Sequence, residues 1–124
     1  MFRKISKIKF EFKKDGIKYY SLKSDILFQY KDRDIYVRKI WHGETFYTNL
    51  MSIPKIFHRW LKPNYRKYIL PSALHDFLYS QRDTNRFWCD WIFLCALKDQ
   101  KVNFIGRWFY FIIVVLCGWR NKAK

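Results

Sequence analysis

Over the first forty residues apolar and polar side chains alternate, and from about residue 65 onward apolar positions recur every three to four residues. Ile8, Phe10 and Phe12 fall on one side and Lys7, Lys9, Glu11 and Lys13 on the other, the period-two pattern of a half-buried strand. Asp15-Gly16 follows, a pair that tolerates the positive φ of a tight hairpin turn. Residues 17–22, 26–30 and 34–40 read as three more strands, so that residues 1–47 are expected to form an antiparallel β-meander of about four strands.

Residues 48–54, TNLMSIP, have no clean period and end in a proline that holds Ile53 extended, which marks a structured loop. Residues 55–61 are expected to make a short helix that Lys62-Pro63-Asn64 breaks. A longer helix should run from about Pro71, or a little earlier, to Ser80, with the proline in its first turn. Asp83 or Thr84 can cap a second helix that reaches about Lys98. A third is expected over about 102–116, with Gly118 as its stop and a basic tail over 120–124. Strands, then a loop, then helices argue for a single α+β domain spanning 1–124, its helical part at 65–119.

Composition adds that the chain should fold: of 124 residues half are hydrophobic and 22% are aromatic, far from the signature of disorder. The 25 Lys and Arg against 10 Asp and Glu give a formal charge of +15, which favours an anionic lipid, a phosphate compound, nucleic acid or an acidic protein as partner. Lysine excess in an Ile-, Phe-, Tyr- and Asn-rich chain is equally what AT-rich coding DNA produces. Cys89, Cys95 and Cys117 are spaced by six and twenty-two, which fits no common disulfide or zinc framework and points to free thiols in a reducing cytosol. No apolar h-region follows the basic start, so export by a secretory signal is not expected. The ten apolar or aromatic residues of 108–117 are too few to span a bilayer, which needs about 20. With Arg107, Arg120, Lys122 and Lys124 around Trp108, Tyr110 and Trp119, they also suit peripheral contact with a membrane surface.

The densest candidate chemistry is LHDFLY at 74–79. On a helix His75 and Tyr79 share a face, and Asp76 is turned about 100° from His75. The next helix carries Asp90 among apolar neighbours. His75 lies about 7.5 Å before the first helix ends and Asp90 about 9 Å after the second begins, so an antiparallel hairpin brings them level. An aspartate bound to Nδ1–H would fix the tautomer and leave Nε2 to take a proton from water, as a general base must. The same contact also serves a core that must pair a buried carboxylate. Thr48, Asn49 and Ser52 are candidate loop contributors of hydroxyls and an amide. Arg59, Lys62, Arg66 and Lys67 interleave with aromatics over 58–68 and are candidate anion-binding residues, although no nucleic-acid motif is present.

TNLMSIP at 48–54, then HDFLY at 75–79, then Asp90 and Phe93, and finally Gly118-Trp119 resemble the bacteriophage and prophage family called domain of unknown function 1353, whose pattern is roughly T-D-x-A-S-x-P, H-D-x-L-Y and D-x-x-F. Asn49 stands where the family usually has Asp, and Met51 where a small residue is usual. The HDxxY helix is also similar to that of the A-two class phospholipases. That resemblance implies His75 as base, Asp76 as calcium ligand and Tyr79 with Asp90 as the orienting pair, whereas the glycine-rich calcium loop and the disulfides of that class are missing.

Two functions follow as expectations. One is a phage-encoded accessory protein with a His75/Asp76/Tyr79/Asp90 cleft acting as a hydrolase on an ester or anionic substrate, in the host cytoplasm, at the membrane periphery or in the virion. The other is a non-enzymatic virion, host-interaction or anti-defence protein that holds an anionic partner on its basic surface.

Overall fold

The computed structural model describes residues 1–41, 43–48, 66–81 and 84–117. Among the described residues eight short strands precede three helices, an α+β fold. The strands are β1 (Phe2–Lys4), β2 (Ile8–Lys14), β3 (Ile17–Leu22), β4 (Ile26–Tyr30), β5 (Arg33–Val37), β6 (Ile40–Trp41), β7 (Glu44–Thr45) and β8 (Tyr47–Thr48). The four expected strands are present as β2 to β5 and pair antiparallel as β2–β3 and β4–β5, but the two pairs belong to different sheets. Among the described residues the strands make three small antiparallel sheets, ordered β1-β4-β5, β2-β3-β8 and β6-β7. Asp15 and Gly16, at φ of 53° and 81°, supply the β2–β3 turn. The strand expected over 34–40 is split at Arg38 and Lys39. There Asp25 accepts from the Lys39 amide at 2.8 Å and pairs with the Arg38 guanidinium at 3.3 Å, drawing the backbone out of the ladder.

The common face expected for Phe10 and Phe12 is also broken. A bulge between them pairs Phe10 with Tyr20 but Phe12 with Tyr19. Neighbours on β3 point to opposite faces, so the two phenylalanines do as well. Phe10 then lies on the face of Thr48, while Phe12 stacks on Tyr19 at 5.1 Å and meets Tyr47 edge-on.

The helices are α1 (Arg66–Tyr79), α2 (Arg86–Asp99) and α3 (Phe104–Cys117). Pro71 sits inside α1 rather than in its first turn, and buried at that. Asn85, not Asp83 or Thr84, caps α2: its Oδ1 accepts from the amides of Phe87 at 2.8 Å and Trp88 at 3.4 Å. Thr84 is used differently, donating its hydroxyl to the carbonyls of Leu78 at 2.7 Å and Gln81 at 2.8 Å and so closing the end of α1. Asp83 lies outside the described residues, as do the short helix expected over 55–61 and Gly118.

Two apolar clusters hold the layers together. Leu22, Ile26, Phe28, Ile35 and Val37 from the strands meet Leu74, Phe77, Leu78, Cys89, Ile92 and Ala96 from α1 and α2. Burying a side chain such as Phe28 or Leu74 contributes about 1.5–3 kcal/mol. A second cluster, with Tyr68, Phe93, Leu97, Val102, Tyr110, Ile113 and Val114, lies among the three helices. Helix α2 belongs to both, and it is bound to the first sheet by polar links as well. Asp99 Oδ2 accepts from the Phe2 amide at 3.0 Å, and Trp91 Nε1 donates to the Tyr30 hydroxyl at 2.9 Å.

Candidate functional site

Helix α1 is central: α2 covers one flank, and β5 and β8 lie against others. Its polar residues 75, 76 and 79 therefore face protein. His75 is 0% and Asp90 1% exposed, and Tyr79 is buried beside them. Facing positions on the α1–α2 hairpin bring these three side chains together. Asp90 Oδ1 lies 2.7 Å from His75 Nε2 and 2.7 Å from the Tyr79 hydroxyl, which donates to it. The His75 and Tyr79 rings stand 4.0 Å apart between centroids, and the Phe93 ring lies 5.1 Å from the imidazole.

The contact runs through Nε2, not through Nδ1 as the general-base geometry would have it. The reason is reach. Nδ1 lies close to the residue's own helix, whereas Nε2 is at the far end of the ring and can cross to α2. The nitrogen assigned to water is thereby engaged by a carboxylate, and the ring meets no solvent.

Asp90 Oδ2 is buried without a hydrogen-bond partner, and across 4.0 Å from it stands the Nε of Arg86, likewise buried and unbonded. Sequence reasoning passed over Arg86, although its i,i+4 spacing from Asp90 was the signal. The same guanidinium also donates to the Val115 carbonyl, tying the start of α2 to the last turns of α3. Burial raises the Tyr79 phenol well above its ordinary range; the Asp90 hydrogen bond and charge add to this, and Arg86 partly offsets it. Tyr68 is raised too, first by burial and then by the charge of Asp76.

Asp76 is set apart from this cluster. Half-buried, it accepts a hydrogen bond from the Thr48 hydroxyl, which joins α1 to β8. Among the described residues no three His, Cys, Asp or Glu gather as a metal-holding group. Asn49, Ser52, Arg59 and Lys62 lie outside the described residues, as does the side chain of Arg66. Lys67 is exposed, and its Nζ donates to the Lys101 carbonyl at 3.3 Å. Cys89 is buried and Cys95 half-buried, both as free thiols, and burial pushes the Cys95 thiol up.

Open depressions lie elsewhere. A cleft of about 640 Å³ between β5 and the facing ends of α1 and α2 is lined by Arg33, Arg38, Tyr36, Gln81, Asn85 and Trp88 among others. Its Arg33 guanidinium stacks over Trp88 at 4.9 Å. A groove of about 760 Å³ is edged by Lys4, Lys23, Lys39 and again Arg38. Neither is lined by His75, Asp76 or Asp90.

Fold and cluster define an α+β protein whose helical hairpin is joined through a buried His-Asp-Tyr set. Residues 20–114 match the model of the family described as protein of unknown function (DUF1353), and the chain belongs to that family. No curated protein and no solved structure matches it.

Proposed function

We propose that this chain is a non-enzymatic accessory protein that holds an anionic partner in its basic surface clefts, with His75, Asp90 and Tyr79 acting as an internal lock. The observation that carries the reading is a separation: the imidazole and its carboxylate are shut away from solvent, while cations outnumber acids around two open depressions, Arg33 and Arg38 against Asp34 in one, and Lys4, Lys23, Lys39 and the Asp25-paired Arg38 in the other. Exposed cations at the rim of a cleft attract anions at long range and are screened by salt. The setting we propose is a phage or prophage product, as the motif resemblance implies, acting in the host cytoplasm. Binding of the full chain to heparin, as a soluble polyanion, should fall about ten-fold or more between low and moderate salt. Lys4→Glu, Lys23→Glu and Lys39→Glu together should weaken it further at low salt. A response flat in salt and indifferent to these changes would sink the reading.

A second reading is a hydrolase of ester or anionic substrates with His75 as base and calcium near Asp76. It draws on one feature, the orienting of both the imidazole and the phenol by a single Asp90 oxygen. It requires the cover over His75 to move aside. Under it, His75→Ala abolishes turnover and leaves the melting temperature within a few degrees.

A further inference from the structure

We infer that the outer face of α3 docks on an anionic lipid surface, lying flat in the interface. This inference is independent of the cation-lined clefts, which are on other elements. One side of α3, with Tyr110, Ile113 and Val114, is buried against the rest of the helical layer. The other side is apolar and exposed: Ile105 is 80%, Ile112 52% and Leu116 65% exposed, with Phe104, Trp108 and Phe109 partly exposed beside them. At about 100° per residue these six positions span an arc of about 140°, a broad face rather than a narrow seam. From Ile105 to Leu116 it is about 16 Å long, short of the roughly 30 Å of a hydrocarbon core, so the helix can lie in a bilayer surface but not cross it. No helix among the described residues is long and apolar enough to cross a membrane.

Charge decides which occupant fits. Helix α3 has no acidic residue, and Arg107 sits on it with its guanidinium 5.3 Å from the Phe104 ring. Lys101 precedes the helix, exposed Lys98 and Lys67 stand near, and in sequence Arg120, Lys122 and Lys124 follow. The described carboxylates of the helical layer are all committed: Asp76 to Thr48, Asp90 to His75 and Tyr79, and Asp99 to the Phe2 amide. An apolar stripe whose own helix carries a cation and no acid, with Lys101 before it and half-buried Asp99 turned to the Phe2 amide, complements anionic headgroups above acyl chains, and a tryptophan on such a face suits the interface. A second copy of the chain would bring the same cations against each other.

The test is co-sedimentation of the full chain with vesicles of phosphatidylglycerol and phosphatidylcholine in equal parts, and with phosphatidylcholine alone. The chain should pellet with the first and at least ten-fold less with the second. The variant Ile105→Glu/Ile112→Glu, changed only at exposed positions, should lose pelleting at least ten-fold while keeping its circular dichroism and its heparin binding. Failure of the wild type to pellet with anionic vesicles, or pelleting unchanged in the variant, overturns the inference. So does a wild-type dimer in light scattering that the variant converts to monomer, since the face would then belong to a second copy. Retained heparin binding in any of these cases leaves the anion-binding clefts standing.

Discussion

At residue scale the centre of the molecule is one carboxylate with unequal oxygens. Asp90 Oδ1 takes both His75 and Tyr79, and Oδ2 faces Arg86 without a hydrogen bond. Removing one side of a buried charged contact leaves the other uncompensated, at a cost of about 3–5 kcal/mol. Asp90→Ala should therefore lower the unfolding free energy by that amount in urea titrations. His75→Ala, which empties space against Phe93 and strips Asp90 of a partner, should cost about 3 kcal/mol. A His75→Ala protein with an unshifted urea midpoint would speak against the lock. The two buried phenols give a pH signature. Both Tyr79 and Tyr68 are raised in the folded protein, so above the ordinary phenol value of about 10 the folded state keeps protons that the unfolded chain releases. Their contribution is complete below that pH and lost as pH climbs through the alkaline range. Melting temperatures measured from pH 8 to 11 should fall at the alkaline end, and Tyr79→Phe should flatten part of the fall.

At the scale of elements, α2 joins α1, α3 and the first sheet, and its start is its vulnerable end. Asn85 satisfies two of its first amides, so Asn85→Ala should cost about 1 kcal/mol in thermal unfolding, whereas Thr84→Ala should instead loosen the end of α1. The helices were legible from their length and apolar content, with a pronounced one-sided pattern only in α3, and the meeting of His75 with Asp90 followed from their depths in a hairpin. The cap was not resolved because Asp83, Thr84 and Asn85 are three consecutive capping-type residues, and only tertiary contacts distribute their roles. The strands were less legible. β6, β7 and β8 have two residues each, too few to show a period. The bulge at Glu11 shifts register without any glycine or proline to announce it. Which ring nitrogen meets Asp90 depends on rotamer and packing, which spacing does not encode.

Over the whole molecule the described strand and helical halves share the same two-to-one excess of cations over acids, and what differs is where the exposed acids lie. Exposed acids such as Glu11, Asp15, Asp32 and Asp34 lie in the strand half, while the helical layer presents cations around an apolar helix face. Composition showed the excess but not this division, because the committed carboxylates look in sequence like any others. The order of the sheets was hidden for a similar reason: β1 skips its neighbours to pair with β4, a long-range choice that local pattern does not contain. That first strand is also held by Asp99, 97 residues away along the chain. Such a closure has a consequence for the route to the native state. While the chain is being synthesised, β4 can offer β1 an edge early, but the Phe2 amide has no acceptor at its end until α2 has been made to its last residue. The earliest segment thus finishes among the latest, and closing so long a loop slows the final step of folding.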